Sequence, residues 1–139
     1  MRHERFLIDT VFVQALVSKR DQYHGLAVKH LPRLREAGEA VITEAVPVEL
    51  AGGMCAIDRK AASEWINSCY RTANMRVVAT QTVLVKRALH LYETRLDKEW
   101  SLTDCISFVV MQDNGLTIAL TADKHFVQAG FRALLLEEA

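Results

Sequence analysis

The sequence predicts an α/β fold of three layers, an α/β/α sandwich whose central parallel sheet has four or five strands. Short apolar runs alternate along the chain with longer segments in which apolar residues recur at helical spacing. This alternation is typical of a parallel sheet with right-handed crossovers. In addition, 139 residues of which half are apolar suffice for one compact core. We therefore expect a single domain over residues 1–139.

The first predicted strand and helix lie next to each other. Residues 6–8 form a short apolar run, and from Val11 onward apolar residues recur at helical spacing. Residues 21–37 mix leucines with charged residues, so we expect a helical hairpin that covers one face of the sheet. Pro32 is expected to break or bend this segment, because proline removes a backbone donor and crowds the preceding turn.

A second strand is predicted at residues 40–42. Thr43 can then cap a helix, since threonine side chains accept hydrogen bonds from the first free backbone donors. We expect this helix to be short and to stop at Gly52 and Gly53, because glycine is common at helix ends.

The middle of the chain continues the alternation of elements. Residues 61–70 are expected to form a helix, residues 75–79 a strand rich in branched residues, and residues 83–96 another helix. The inward face of this last helix is predicted to consist of Leu84, Ala88, Leu91 and Tyr92.

The last third of the chain is predicted to contain a helix, a strand, a second helix and a final strand. Residues 103–112 are expected to be helical and residues 116–120 to form a strand. Phe126 is placed on the following helix. Residues 131–136, which are mostly apolar, are interpreted as a last strand.

Four carboxylates fall at corresponding places in this pattern. Asp9 directly follows the first strand, and Asp123 follows the strand that ends at Leu120 after two residues of turn. Glu49 and Asp104 lie early in helical segments that begin after a strand or a loop. Because ligands bind beyond the carboxyl ends of parallel strands, we expect the four acids to share one site.

A cluster of this kind predicts a metal site, since close carboxylates repel one another unless a cation lies among them. Oxygen ligands favour Mg²⁺ or Mn²⁺ over zinc. Each acid also has a structural interpretation: Asp9 as an N-cap, Asp123 as a first-turn charge, Asp104 in a capping box with Ser101, and Glu49 as a solvated charge.

Other features of the sequence exclude several functions. There is no phosphate-binding GxxxxGK[ST] loop and no GxSxG nucleophile turn, and His125 is expected at the surface rather than as a ligand.

The three cysteines show no CxxC spacing and are expected to be reduced. Seventeen basic residues balance seventeen acidic ones, so net charge does not select a partner. Because the sequence shows neither the pattern of a secretion signal nor that of a membrane span, we expect a cytoplasmic protein.

The acids and their neighbours, in this order, resemble the PIN-domain nucleases, and especially the small bacterial VapC-type members. Residues 7–10 resemble that family's opening strand and first metal-binding aspartate. Residues 46–50 resemble its short helix with the glutamate, which favours Glu49 over Glu44. The stretches most similar to its third and fourth acidic motifs are residues 97–108, 119–126 and 129–131.

This resemblance implies a metal-dependent endoribonuclease that hydrolyses phosphodiester bonds of single-stranded or structured RNA with Mg²⁺ or Mn²⁺. Asp9, Asp104 and Asp123 would hold the metal, with Glu49 as a ligand or as the base that orients water. It also implies a homodimer and the toxin half of a toxin–antitoxin pair, with an antitoxin protein as partner. The alternative is a catalytically inactive PIN-like module that binds protein or RNA.

Hydroxyl and basic side chains near these acids are secondary candidates. Thr10, Ser107 and Thr121 lie beside the acids or one turn from them, where they can hydrogen-bond carboxylate, water or phosphate. Basic residues on the helices are candidates for contacts with the RNA backbone, because such contacts carry most nonspecific affinity. These are Lys19, Arg20, Lys86, Arg87, Lys98 and Lys124.

Overall fold

The computed structural model describes residues 4–137 and contains one parallel sheet of five strands. The strands are β1 (Arg5–Ile8), β2 (Glu39–Thr43), β3 (Met75–Val78), β4 (Ile118–Leu120) and β5 (Arg132–Ala133). Their order in the sheet is β3-β2-β1-β4-β5, and every pairing is parallel. The predicted α/β fold with a central parallel sheet is therefore confirmed, with five strands.

Helices connect the strands and follow the last one. The described residues form α1 (Thr10–Val17), α2 (His24–Arg35), α3 (Ala45–Met54), α4 (Arg59–Arg71), α5 (Thr82–Thr94), α6 (Leu102–Asn114), α7 (Lys124–Gln128) and α8 (Leu134–Glu137). None of these helices is long and apolar enough to cross a membrane.

The two faces of β1 show how the three layers are held together. Phe6 and Ile8 point into a core cluster formed with α1, α2, α3, α4 and α8, whereas Leu7 points into a second cluster formed with α5, α6 and α7. All three side chains are fully buried. A strand covered on both faces is apolar at every covered position, and this accounts for the apolar run of residues 6–8 that identified it.

The register between β1 and β4 brings two distant parts of the chain to one edge of the sheet. Leu7 pairs with Ala119 and Ile8 with Leu120. The Asp9 backbone N–H continues this ladder by donating to the Leu120 carbonyl at 3.3 Å. The residues that follow β1 and β4 are therefore neighbours at the carboxyl edge.

The segment predicted as a helical hairpin, broken or bent at Pro32, is instead the single helix α2, so the predicted hairpin and break are wrong. The helix continues past the proline, and the Glu36 N–H donates to the Pro32 carbonyl at 3.1 Å. Proline deletes only its own backbone bond, and the buried side chain of Leu34 still holds the last turn against the core. The hairpin partner of α2 is α1, where the Ala15 carbonyl lies 2.8 Å from the His24 ring.

The helix α3 differs from its prediction at both ends. Thr43 is the last residue of β2, and Glu44 takes the N-cap position. The helix runs through Gly52 and Gly53 to Met54, whose side chain is fully buried. Burial of Met54 stabilises the last turn and outweighs the low helix propensity of the glycine pair.

Two further interpretations, of Tyr92 and of residues 131–136, were wrong. Tyr92 on α5 points outward and is 48% exposed, while Ala88 is buried as predicted. The predicted last strand is limited to the two residues of β5, after which α8 begins. Leu134 and Leu135 are adjacent and both buried, which is the pattern that suggested a strand.

All three cysteines are free, as expected. Cys69 and Cys105 are buried and act as small apolar side chains, whereas Cys55 is exposed.

Candidate functional site

Asp9 follows the central strand and is almost completely buried, at 2% exposure. It occupies the N-cap position of α1 with extended backbone, but its carboxylate makes no cap hydrogen bond to the helix. Instead, the Thr121 hydroxyl donates to its Oδ2 at 2.7 Å. The carboxylate of Asp9 is thus directed to the edge shared with β4 rather than to the helix that it precedes.

Asp123 reaches the same edge from β4. Its backbone N–H donates to the Thr121 hydroxyl oxygen at 3.0 Å, so Thr121 links Asp123 to Asp9. Asp123 also caps α7, because its Oδ1 accepts from the His125 N–H at 2.8 Å. The helix-start role considered for this residue is therefore present together with its place at the site.

Asp104 comes from the first turn of α6. The predicted capping box is confirmed: the Ser101 hydroxyl accepts from the Asp104 N–H at 3.0 Å, and Asp104 Oδ2 accepts from the Ser101 N–H at 3.1 Å. The same Oδ2 lies 3.0 Å from His125 Nδ1. Oxygen atoms of Asp104 and Asp123 and a ring nitrogen of His125 all lie within 4.8 Å of one another, a grouping able to hold a metal ion.

The electrostatics of these aspartates reflect burial and mutual repulsion. Burial raises the pKa of Asp9 to about 7; the Thr121 hydrogen bond opposes this rise, and the charges of Asp104 and Asp123 add to it. Burial also raises the pKa of Asp104. Between residues 4 and 137, no lysine or arginine forms an ion pair with any of the three. A group of buried and partly buried carboxylates without a lysine or arginine partner is an environment that a divalent cation fits.

Comparison with known proteins identifies the family. The PIN domain family matches residues 6–132, nearly the whole chain. The chain belongs to the PIN domain family. The resemblance read from the acidic motifs is thereby confirmed.

The PIN domain also has a close structural match. Its fold is similar to that of VapC20 from Mycobacterium tuberculosis, described as a Sarcin-Ricin loop cleaving toxin, with a TM-score of 0.81. The match covers 91% of this chain and 95% of that one at 23% sequence identity, and therefore shows a common fold. No curated protein sequence matches the chain.

Glu49 of this PIN domain lies apart from the three aspartates, on the exposed face of α3. Its side chain lines an open groove of about 910 Å³ that also reaches Thr103, the residue before Asp104. Neither Glu49 nor Asp9 is part of the Asp104–Asp123–His125 grouping, but Asp9 is joined to it by the Thr121 hydrogen bonds and is close enough for the charges of Asp104 and Asp123 to raise its pKa. The structure thus brings together three of the four predicted acids and places the fourth on the adjoining groove.

Glu44, the alternative glutamate, is held by other parts of the PIN domain. The Tyr70 hydroxyl donates to its Oε2 at 2.8 Å, and the Thr80 N–H donates to its Oε1 at 3.4 Å. These bonds join the start of α3 to the end of α4 and to the segment after β3. Glu44 lines the same groove as Glu49, and it differs from Glu49 in having its carboxylate held by these two hydrogen bonds.

The three hydroxyl side chains predicted near the acids differ in their surroundings. Thr121 is fully buried and forms the hydrogen bonds described above. Thr10 and Ser107 are also buried, and neither hydroxyl oxygen has a partner within the described part of the chain. Buried hydroxyls without a partner are uncommon, and a water or ligand usually supplies the missing bond.

His125 is the site residue that sequence reasoning missed. It was expected at the surface, but its side chain is only 19% exposed and its Nδ1 faces both Asp104 and Asp123. A signal was present in the sequence: a histidine two residues after a capping aspartate lies at the same end of the short helix as that aspartate. Phe126, fully buried, fixes the rotation of this helix.

The predicted basic residues are distributed over several surfaces. Lys124 is exposed and directly follows Asp123 in the chain. Arg87 instead forms a two-bond ion pair with Asp113 at 2.6 and 2.9 Å, and Lys98 lies 3.7 Å from Asp97. Of these three, Lys124 is the nearest in sequence to the aspartates.

Proposed function

We propose that this PIN domain is a divalent-metal-dependent endoribonuclease that hydrolyses phosphodiester bonds of single-stranded or structured RNA. The observation that carries this proposal is the convergence of Asp9, Asp104 and Asp123 from three separate elements, without a lysine or arginine ion pair in the described chain. Membership of the PIN domain family supports a nuclease, and the fold shared with VapC20, described as a Sarcin-Ricin loop cleaving toxin, supports RNA as the substrate.

Asp9, Asp104 and Asp123 would hold Mg²⁺ or Mn²⁺, with Glu49 as a further ligand or as the base that orients water. When bound, such a cation supplies Lewis-acid stabilisation of the negative charge that develops on the phosphodiester. Oxygen donors of this kind suit both ions.

The chain's own residues prepare the site before a substrate arrives. Thr121 fixes the Asp9 carboxylate by a hydrogen bond of 2.7 Å, and burial keeps bulk water from it. Glu49, exposed on the groove, is free to accept a proton from a water molecule beside the substrate. Fixed carboxylates together with an accessible one on the adjoining groove suit hydrolysis of a strand lying in that groove.

The groove has features that suit RNA. Val48 and Tyr70 are 73% and 57% exposed and line it, so they offer apolar and aromatic surface against which bases can stack. Lys124, exposed next to Asp123, is placed for a phosphate contact. A structured RNA loop is accordingly the first substrate to test.

We further propose that the protein is the toxin of a toxin–antitoxin pair and acts in the cytoplasm as a homodimer. The exposed apolar side chains of α5 and the residues after it support a protein partner, since large exposed apolar side chains mark interaction surfaces. They are Val83, Leu89, Tyr92 and Leu96. The fold shared with VapC20 supports the toxin context.

Cleavage of RNA by the purified protein tests the proposed function. We expect Mg²⁺ or Mn²⁺ to support cutting of a mixed RNA pool, and a chelator to abolish it. Asp9→Asn should reduce the rate by at least about a hundredfold, because it removes a charged metal ligand. Asp113→Asn, an exposed aspartate on α6 paired with Arg87, is the matched control and should cut like the wild type.

Undiminished cleavage by Asp9→Asn would overturn this mechanism. RNA binding without cleavage by the wild type, with either metal, would instead identify a catalytically inactive binding module. Circular dichroism of each variant separates loss of the site from loss of the fold.

A further inference from the structure

His125 is held in place through its backbone and through the residue that follows it. Its backbone N–H donates to Asp123 Oδ1 at 2.8 Å, and the neighbouring Phe126 is fully buried and anchors α7. Its Nδ1 then lies 3.0 Å from Asp104 Oδ2 and 3.3 Å from Asp123 Oδ1. One nitrogen therefore faces two carboxylate oxygens that belong to different elements.

These separations match those between neighbouring ligand atoms of a six-coordinate cation. Ligand bonds of about 2.1 Å at right angles place adjacent ligand atoms about 3.0 Å apart. The two distances from Nδ1 are 3.0 and 3.3 Å, and all three atoms lie within 4.8 Å of one another. A cation can thus reach both oxygens and the nitrogen without a large movement of any side chain.

We infer that His125 is a ligand of the catalytic cation, so that the site is a mixed nitrogen and oxygen site rather than one of oxygen alone. This inference rests on the proposed function, because it concerns the cation of the same site. Nδ1 donates its electron pair to the cation in the imidazole form that carries its hydrogen on Nε2. Asp104 and Asp123 supply the adjacent oxygens.

A nitrogen ligand changes which metal the site prefers. Carboxylate oxygens alone suit Mg²⁺ and Mn²⁺, whereas imidazole is a softer ligand that Mg²⁺ accepts poorly. With His125 in the coordination shell, the site binds Mn²⁺ in preference to Mg²⁺. Because this preference for Mn²⁺ depends on the side chain of His125, it can be tested by substituting His125 while the three aspartates are left unchanged.

Electron spin echo spectroscopy of bound Mn²⁺ tests this assignment directly, because a coordinated imidazole nitrogen modulates the echo. We would use the full chain without a tag, in a buffer without nitrogen ligands. Nitrogen modulation should appear in the wild type and vanish in His125→Asn, whose amide nitrogen can still donate hydrogen bonds to the carboxylates but does not replace imidazole as a ligand. His90→Asn, an exposed histidine on α5, is the matched control and should retain the modulation.

Metal affinity provides a second readout that does not depend on activity. His125→Asn should raise the Kd for Mn²⁺ by at least about tenfold, as is common when metal-site residues are removed. The Kd for Mg²⁺, measured by competition, should change less. A purely structural hydrogen bond at His125 would leave the ratio of the two affinities unchanged.

Several outcomes would overturn the assignment: no Mn²⁺ binding by the wild type, no nitrogen modulation in it, or modulation that persists in His125→Asn. Its failure is distinguishable from failure of the proposed function. RNA cleavage without nitrogen modulation would support the proposed nuclease activity and contradict His125 as a metal ligand. Nitrogen modulation without RNA cleavage would support His125 as a ligand and contradict the nuclease activity.

Discussion

Asp9 and Glu49 lie in opposite physical environments although both are predicted acids of one site. Asp9 is 2% exposed, follows the central strand of the sheet and accepts a hydrogen bond from Thr121. Glu49 is exposed on a helix face beside an open groove. The buried acid has its position set by the fold, whereas the exposed acid keeps its freedom to move.

This difference indicates how stability and chemistry are divided in the site. Burying the Asp9 carboxylate among other acids disfavours its charged form, so the folded protein bears a free-energy cost that a bound cation would relieve. Glu49 has no comparable cost, because water solvates it. We therefore expect changes at Asp9 to alter both stability and activity, and changes at Glu49 to alter activity alone.

The largest expected effect is on the pH dependence of unfolding in the presence of a chelator. The folded protein retains the Asp9 proton up to a pKa of about 7, while the unfolded chain loses it near 3.8. The folded state therefore binds more protons between these values, and the free energy of unfolding should fall by about 1.4 kcal/mol per pH unit as pH rises between about 4 and 7. Above pH 7 this contribution should stay constant.

Urea unfolding of wild type, Asp9→Asn and Glu49→Gln at pH 5 and pH 8 measures this effect. In Asp9→Asn the decrease in the free energy of unfolding between pH 5 and pH 8 should be much smaller, because the amide does not titrate. Glu49→Gln should show the same decrease as the wild type. Equal pH dependence in all three proteins would show that burial of Asp9 does not limit stability.

An intermediate effect is expected from the two glutamates of α3. Glu49→Gln should lower the rate of RNA cleavage by about a hundredfold, the lower end of the usual contribution of a positioned acid–base group. Glu44→Gln should leave the rate close to that of the wild type, since its carboxylate is bonded to Tyr70 and to the Thr80 backbone. Single-turnover rates on one RNA compare them, and a larger loss in Glu44→Gln would reverse the assignment.

The smallest effect is expected from the hydroxyl that joins Asp9 to Asp123. Thr121→Val removes a donor to Asp9 and an acceptor for the Asp123 N–H, which should cost about 1–3 kcal/mol of stability. Thr121→Ser keeps the hydroxyl and should recover most of the loss. Chemical denaturation in chelator measures both, and equal stability of the two variants would indicate that lost packing, not the hydrogen bonds, causes the change.

Strand ends could be predicted from the sequence, and with them half of the site. Asp9 and Asp123 follow short apolar runs, and in a parallel sheet the residues after neighbouring strands meet at one edge. The pairing of Ile8 with Leu120 shows that β1 and β4 are such neighbours. This part was predictable because it depends on chain order and strand direction alone.

Features that depend on tertiary packing were not predictable in the same way. Gly52 and Gly53 have the composition of a helix end, but the burial of Met54 extends α3 beyond them. Tyr92 has the spacing of an inward residue but is 48% exposed. In each case the local sequence preference is outweighed by tertiary packing: a neighbouring element covers Met54 and leaves Tyr92 exposed.

The position of His125 beside Asp123 could be predicted from the sequence, but its contact with Asp104 could not, for a related reason. Nothing in its own segment specifies that α6 presents Asp104 opposite its ring, because the two residues are 21 positions apart. A polar residue beside a lysine on a short helix is normally solvated. Only the approach of a second element makes it part of the site.

The Asp104 carboxylate has two roles, one in the capping box of α6 and one at the candidate site. Its Oδ2 accepts the Ser101 N–H that begins α6 and also contacts His125 at the site. A mutation there removes chemistry and a helix start together, whereas Asp9 can lose its charge without releasing a helix end. Position 104 therefore tolerates fewer substitutions than position 9, and an inactive protein that remains well folded is reached more readily through Asp9.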